Sequence, residues 1–536
     1  MKSHYDVIVV GGGHNGLVCA AYLARAGRSV LVLERRDRAG GILAAPELMP
    51  GVPAPGPVAS AGRLSARIAK DLWLDAQGVK LVKSDARLTS IAPDGRALTL
   101  WADPDRTAAE LRLSVRTDGA AYARLDGDLR GMARFAARLA ESAPPDVEHL
   151  RASDLRNAMG LWRGYRSMGG RLAHDFLRVL PMPVADVMTD YLEDDQLRAA
   201  IAWRGVSYTT LAPSDAGSAQ VLLNDMVGGD GGVAGEMSLC LGGPAALAAG
   251  LAKAAVGRGA EIRLNAEVAR VTVTQNRVTG VVLAGGEEIG ARLVVSGLDP
   301  KRTMLGLLEP EVLGPTLGWE VANLRQRGGT SAVMFALRDL PAFAGMSAGE
   351  AATRLTGRIL LAESLNVLDR AADAIKAGRV PERLALEAVI PTLLDPSLLA
   401  GAGATNGVSH LMSVVVHGTP YTLRDGDWDA RREALGDAVV AQIEAVAPGF
   451  GALVVARNVL TPLDLERDYG MTEGHPLHGE PALDQWFAWR PFLGAARYRL
   501  PVNGLFLCGS GAHPGGGVTG MPGYQAAREI LAGGRP

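Results

Sequence analysis

Apolar positions at both ends of the chain form short unbroken runs, each followed by glycines and then by a helical period. Residues 5–34 read YDVIVVGGGHNGLVCAAYLARAGRSVLVLE. Positions 7–10 are all apolar, the pattern of a strand buried on both faces. Gly11, Gly13 and Gly16 interrupt the run, and residues 17–25 carry strong helix formers at helical spacing until Gly27 stops them. Residues 29–33 make a second buried strand, which closes on Glu34. Near the other end, residues 505–508 (LFLC) predict another buried strand. It runs into GSGAHPGGGVTGMPG (509–523), and a helix is expected over 524–531.

The pattern between these ends is mixed. Residues 242–256 predict a helix, 261–265 a strand, and 268–283 a hairpin turning at Gln275-Asn276. Residues 85–230 read as largely helical, most clearly over 120–141 and 183–203. Residues 304–495 mix helices with strands, including 332–336, 384–390 and 411–417. No internal repeat appears. The expected fold class is α/β, a Rossmann-like nucleotide-binding lobe interleaved with an α+β lobe. The first lobe takes 1–84, 231–303 and 496–536; the second, a substrate or cap lobe, takes 85–230 and 304–495.

Strand, G-x-G-x-x-G, helix and a second strand ending in an acid 23 residues after Gly11 predict a dinucleotide site. Gly11 makes the turn, Gly13 admits a pyrophosphate, and Gly16 lets helix and strand pack closely. His14 and Asn15 lie between them at the helix start, where unsatisfied N–H groups meet phosphate oxygens. Glu34 can accept a ribose diol. A second strand–glycine–helix element almost 500 residues downstream points to flavin, since a positive helix end favours anionic reduced flavin.

Composition narrows the partners. With 55 Lys+Arg against 57 Asp+Glu, the net charge of −2 excludes a basic nucleic-acid binder. Glycine supplies 67 of 536 residues, well above the usual ~7%, which implies many tight turns or backbone that comes close to a ligand. Cys19, Cys240 and Cys508 form no C-x-x-C, so the chain offers no zinc ribbon or dithiol pair and reads as a cytoplasmic protein. No run of about 20 apolar residues exists to span a membrane. The stretch 156–181 combines Leu, Trp and Met with five Arg. It reads either as a peripheral membrane contact or as a cap over a substrate cavity. His475-x-x-His478 with Glu480 and Asp484 has metal-ligand spacing, but Gly474, Pro476, Gly479 and Pro481 break the helix it needs. A polar loop lining the substrate cavity or a structural hydrogen-bonding loop is expected there, and no metal. His513 reads equally as a flavin or substrate contact and as a helix-start residue. No general acid or base stands out, and the oligomeric state is not legible.

The motifs VVGGGHNGLVCAAYLARAG…VLERRDRAGG and GLFLCGSGAHPGGGVTGMPGYQAAREIL resemble the FAD-dependent phytoene desaturase family. Within it, the likeness is to the branch called pyridine nucleotide-disulfide oxidoreductase domain-containing protein 2. Residues 242–273, 294–303 and 478–491 extend the resemblance over nearly the whole chain. It implies FAD, with Arg35 by the adenine or ribose and Gly40 and Gly41 close to the ligand. Val268 would meet the adenine through its backbone. Gly509 and Gly517-Val518-Thr519 would approach the pyrophosphate and flavin. The chain departs from the family at PGVPAPGPVAS (50–60), so flavin contacts from that loop do not carry over. The implied activity is hydride transfer from an apolar, isoprenoid- or carotenoid-like substrate to flavin. The alternatives are a redox-neutral flavin isomerase and a flavin-bearing partner-binding protein. An amine oxidase would need an aromatic cage beside the flavin.

Overall fold

The apolar runs gather into one seven-stranded sheet. Its order is Val268–Thr274, Arg277–Leu283, Glu288–Ser296, His4–Val10, Val30–Leu33, Glu261–Arg263. Glu288–Ser296 is long enough to pair antiparallel with Arg277–Leu283 at its start and parallel with Leu505–Leu507 at its end. It also pairs in parallel with His4–Val10, so strands from the beginning, middle and end of the chain share one register. The computed structural model describes residues 4–533 except 45, 59, 62, 116, 148, 149, 151, 229–236 and 401–406. The expected lobe boundary at 230/231 therefore lies outside the described residues.

A second seven-stranded sheet runs Val454–Leu460, Thr330–Leu337, His410–His417, Ala385–Val389, Arg358–Leu361, Ala86–Ile91, Ala97–Trp101. The last two strands correct the largely helical reading of 85–230. Arg87, Thr89, Ser90 and Thr99 made these segments look polar, yet all four are buried. Thr89 and Thr99 pair with each other at 3.1 Å, Arg87 reaches Asp126, and the Gln196 amide donates to Ser90. The helix expected over 183–203 divides into Val184–Tyr191 and Asp195–Val206. At the break, the buried Asp118 carboxylate accepts the N–H groups of Glu193 and Asp194, and Asp194 caps the second helix. The loop after Gly41 forms the short pair Glu47–Met49 and Val52–Pro53. The turn at Gln275-Asn276 is present, both residues having φ near +50° (50° and 56°).

The first helix, His14–Arg25, is buried over nearly its whole length. It lies against the final helix, Met521–Ala532, so closely that a Cβ on Gly523 would stand 2.1 Å from the Asn15 carbonyl oxygen. The two glycine-rich turns thus sit side by side, tied by Asn15 Nδ2 donating to Ser510 Oγ at 3.1 Å. Cys19 and Cys508, distant in sequence, meet in this core as free buried thiols.

Candidate functional site

Backbone builds one cavity, of about 480 Å³. Gly11, at φ +95°, turns the chain out of the first strand. Gly16 admits no side chain, since a Cβ there would stand 2.3 Å from the Gly11 oxygen. Gly13 differs: a Cβ would meet nothing within 4 Å, because it would project into the cavity. Glu34 is buried, and its two carboxylate oxygens accept the N–H groups of Gly12 (2.8 Å) and Arg36 (3.0 Å). The acid therefore shapes the glycine loop as well as facing the cavity. Arg35 lines the same wall and donates to the carbonyls of Arg467 and Asp468.

Nine of the residues singled out in the sequence line this cavity: Gly11, Gly13, His14, Asn15, Gly16, Glu34, Arg35, Gly41 and Val268. Gly40 stands behind the wall, where a Cβ would lie 2.6 Å from the Ala248 methyl carbon. Gly509 does likewise against the Gly297 carbonyl oxygen, at 2.6 Å. The sequence reading missed Leu298, Arg302 and the segment Tyr469-Gly470-Met471, while His478 and Ser510, which lie in motifs it singled out, also line the cavity. Tyr469, Gly470, Met471, Pro476 and His478, expected in the substrate lobe, line this cavity. His478 lines it, whereas His475 faces Glu480 at 3.5 Å and is buried with it. Among the described residues, no group of three His, Cys, Asp or Glu is placed to hold a metal ion.

A second cavity, of about 110 Å³, adjoins the first. His14, Ile42, Pro476 and Ser510 line both, so these four residues mark where the cavities meet. The C-terminal glycine segment supplies Gly516, Gly517 and Val518 to the second wall. Gly517 is glycine for two reasons: its φ is +111°, and a Cβ would stand 2.3 Å from Arg63 Nη1. Thr519 lines a third cavity next to it. His513 is buried away from these walls, its ring against Phe487 and its Nε2 3.2 Å from the Leu139 carbonyl.

Electrostatics at the junction favour a neutral imidazole. Burial, with His478 nearby, pushes His14 down to about 4. Its Nε2 and the Asn15 Oδ1 are buried with no hydrogen-bond partner among the described residues. Unsatisfied buried polar atoms in a roomy cavity, beside a glycine whose missing side chain leaves space, fit a polar ligand with phosphate and ribose groups. The residues present therefore suit FAD.

Comparison with known proteins agrees. Residues 9–59 match the NAD(P)-binding Rossmann-like domain, and residues 110–531 match the flavin containing amine oxidoreductase family. The chain is 34% identical to pyridine nucleotide-disulfide oxidoreductase domain-containing protein 2 of Rattus norvegicus, covering 99% of this chain and 94% of that one. It is 27% identical to phytoene desaturase (neurosporene-forming) of Cereibacter sphaeroides, over 98% and 93% of the two chains. A triple mutant of putrescine oxidase shares the fold, with a TM-score of 0.60 at 17% identity and 99% of each chain covered. The chain belongs to the flavin-containing amine oxidoreductase family and is an FAD-dependent oxidoreductase.

Proposed function

We propose that the larger cavity holds FAD and that the smaller one presents a mostly apolar substrate to the flavin where the two meet. The observation that carries this reading is the shared wall of His14, Ile42, Pro476 and Ser510. In it, Gly11, Gly13 and Gly16 receive the pyrophosphate, Glu34 the ribose, and Arg35 and Val268 the adenosine end. Gly517, Val518 and Thr519 form the approach to the ring. Residues 1–84, 231–303 and 496–536 serve FAD, while 85–230 and 304–495 mainly serve the substrate.

Bound FAD supplies a two-electron acceptor, so a substrate that loses a hydride to it and a proton from the neighbouring carbon gains a C=C bond. The chain's contribution is positioning and exclusion of water. Val221, Val389, Val415 and Leu477 give the smaller cavity an apolar wall. Tyr208 is its one aromatic residue among those described, which speaks for a desaturase-like reaction over an amine oxidation needing an aromatic cage.

The test is single-turnover chemistry. FAD-loaded protein, mixed without oxygen with an apolar extract, should bleach its flavin and yield a product lighter by two hydrogen atoms. A product of unchanged mass would mean isomerisation instead.

A further inference from the structure

Five arginines are buried among the described residues: Arg87, Arg204, Arg358, Arg490 and Arg497. Four of them meet a carboxylate, as a charge in a protein interior ordinarily must. Arg87 lies 3.4 Å from Asp126, Arg204 and Arg358 lie 3.1 and 3.4 Å from Glu387, and Arg497 lies 2.7 Å from Asp154. Arg490 is the exception. Only 2% exposed, it forms its hydrogen bonds with main chain alone. Its Nη1 donates to the carbonyls of Glu480 and Gln485, at 3.2 Å each. Its Nη2 donates to those of Leu477 (3.2 Å), Gly479 (3.4 Å) and Ser510 (2.9 Å). Its Nε is buried with no hydrogen-bond partner among the described residues. Carbonyl dipoles solvate a guanidinium, but they carry no net charge and leave its full positive charge in place. Burial lowers Arg490 only to about 10, so it stays protonated at neutral pH.

This cation sits behind the wall where the two cavities meet. Ser510, whose carbonyl it holds, lines both cavities, and Leu477 lines the smaller. Gly515, at φ +110°, passes over the guanidinium, and a Cβ there would stand 3.5 Å from Nε. Arg490 thus underlies both ends of the turn from Ser510 to Gly515, directly ahead of Gly516 and Gly517 on the smaller cavity's wall.

The titratable groups around it do not cancel the charge at this point. Burial lowers His478 and His513, and Arg490 pushes both further down, so neither adds a second cation. Glu480 acts on Arg490 through space, without an ion pair between them among the described residues. Its carboxylate accepts the Thr210 N–H (2.9 Å) and hydroxyl (3.2 Å) and faces His475 at 3.5 Å. Glu480, Thr210 and His475 are absent from the described walls of both cavities, whereas Ser510 belongs to both. Arg490 and Glu480 therefore form a buried dipole whose positive end faces the junction.

We propose that Arg490 is a positioning residue for the redox reaction, favouring negative charge on FAD at the junction through its buried charge and its hold on Ser510. This rests on the reading of the larger cavity as the FAD site. A hydride carries two electrons and one proton, so its transfer leaves one net negative charge on the acceptor. A fixed cation in a dry interior stabilises that charge without reorganising as it forms.

The test is the two-electron potential of FAD-loaded protein, titrated with dithionite without oxygen beside a reference dye. Affinity for sulfite, which adds to oxidised flavin as an anion, gives a second readout. Wild-type protein should hold reduced FAD at least about tenfold more tightly than oxidised FAD, placing the bound potential about 30 mV or more above that of free FAD. Arg490→Gln keeps a donor but removes the charge; it should lose most of that shift and bind sulfite about tenfold more weakly. Arg490→Lys keeps the charge but loses the fork, so it should retain most of the shift even where thermal stability falls. A shift that survives in Arg490→Gln, or that both variants lose equally, would mean that Arg490 only ties the loops together, and overturns the proposal. Where Arg490→Gln yields no folded protein, Arg490→Lys decides alone: a retained shift supports the proposal and a lost one overturns it. A wild-type potential at or below that of free FAD overturns it without any variant. Protein that takes up no FAD refutes the cofactor reading itself, an outcome distinct from FAD bound with an unmoved potential.

Discussion

The two adjoining cavities are built on opposite plans. The larger is shaped by backbone: glycines, helix starts and the N–H groups that Glu34 receives. The smaller is shaped by side chains that arrive from three sheet strands, two helices and the C-terminal turn, and lock through ion pairs. A backbone cavity depends on the absence of side chains, so addition should destroy it. A side-chain cavity depends on paired charges, so removal of one partner should destroy it.

The sharpest test of that contrast uses two glycines in one motif. At Gly16 a new Cβ would stand 2.3 Å from the Gly11 oxygen, which the turn cannot concede. Gly16→Val should leave little folded protein, as overpacking next to main chain costs several kcal/mol, on the order of 1–3 or more. Gly13→Val places its side chain in open cavity at an ordinary φ of −67°. That variant should fold with near-normal helical signal yet purify without flavin. Flavin retained by Gly13→Val would move the cofactor away from this turn.

The charged cavity gives the next largest effect. Asp225→Asn removes the partner gripped by Arg204 and leaves a largely buried guanidinium short of charge, at a cost of about 3–5 kcal/mol. Chemical denaturation should show this loss at neutral pH. The pH dependence supplies a sign. Burial alone would raise the Asp225 carboxyl, but Arg204 outweighs it and holds the group at about 2, below its ordinary 3.8. A depressed folded pKa adds stability above the unfolded value, and that stability is lost as pH falls from about 4 to about 2. The Asn variant should therefore show a shallower acid slope in this window. An unchanged slope would mean that the ion pair does not set acid stability.

This contrast also explains what could be read from the chain. The G-x-G-x-x-G turn, Glu34 and the Gln275-Asn276 hairpin are local features, in which the residues that need a conformation also adopt it. Arg302 and Tyr469 reach the larger cavity only through tertiary packing, so spacing gave no sign of them. The strands Ala86–Ile91 and Ala97–Trp101 were hidden because their polar residues are satisfied by Asp126 and Gln196, which lie in distant helices. A usable signal did exist for the second cavity. Glu387 is a lone acid in LALEAVI, and Arg358 a lone base in GRILLA. A single charge in an otherwise buried strand must find a partner or a ligand.

The smallest effect expected lies on the surface, on the helix Ala152–Ser167. Its Leu155, Met159 and Trp162 are exposed by 67%, 44% and 58%, and their i, i+4, i+7 spacing places them on one face. Asp154 on the same helix is buried against Arg497, which also pairs with Glu529 of the final helix. The helix is thus anchored to the final helix. No helix among the described residues is long and apolar enough to cross a membrane. We propose a peripheral lipid contact through this face, assisted by the exposed Arg163 and Arg166. Each basic residue near an anionic surface contributes about 1 kcal/mol. Arg163→Ala with Arg166→Ala should therefore weaken flotation with anionic liposomes by roughly tenfold or more, and salt should do the same. Arg171 is a different case, because its guanidinium is held by Asp128 and Asp175. Arg171→Ala removes a charge that those acids already offset, so flotation should barely change. Equal losses from Arg171→Ala and from Arg163→Ala would show that net charge alone, and not this face, brings the protein to lipid.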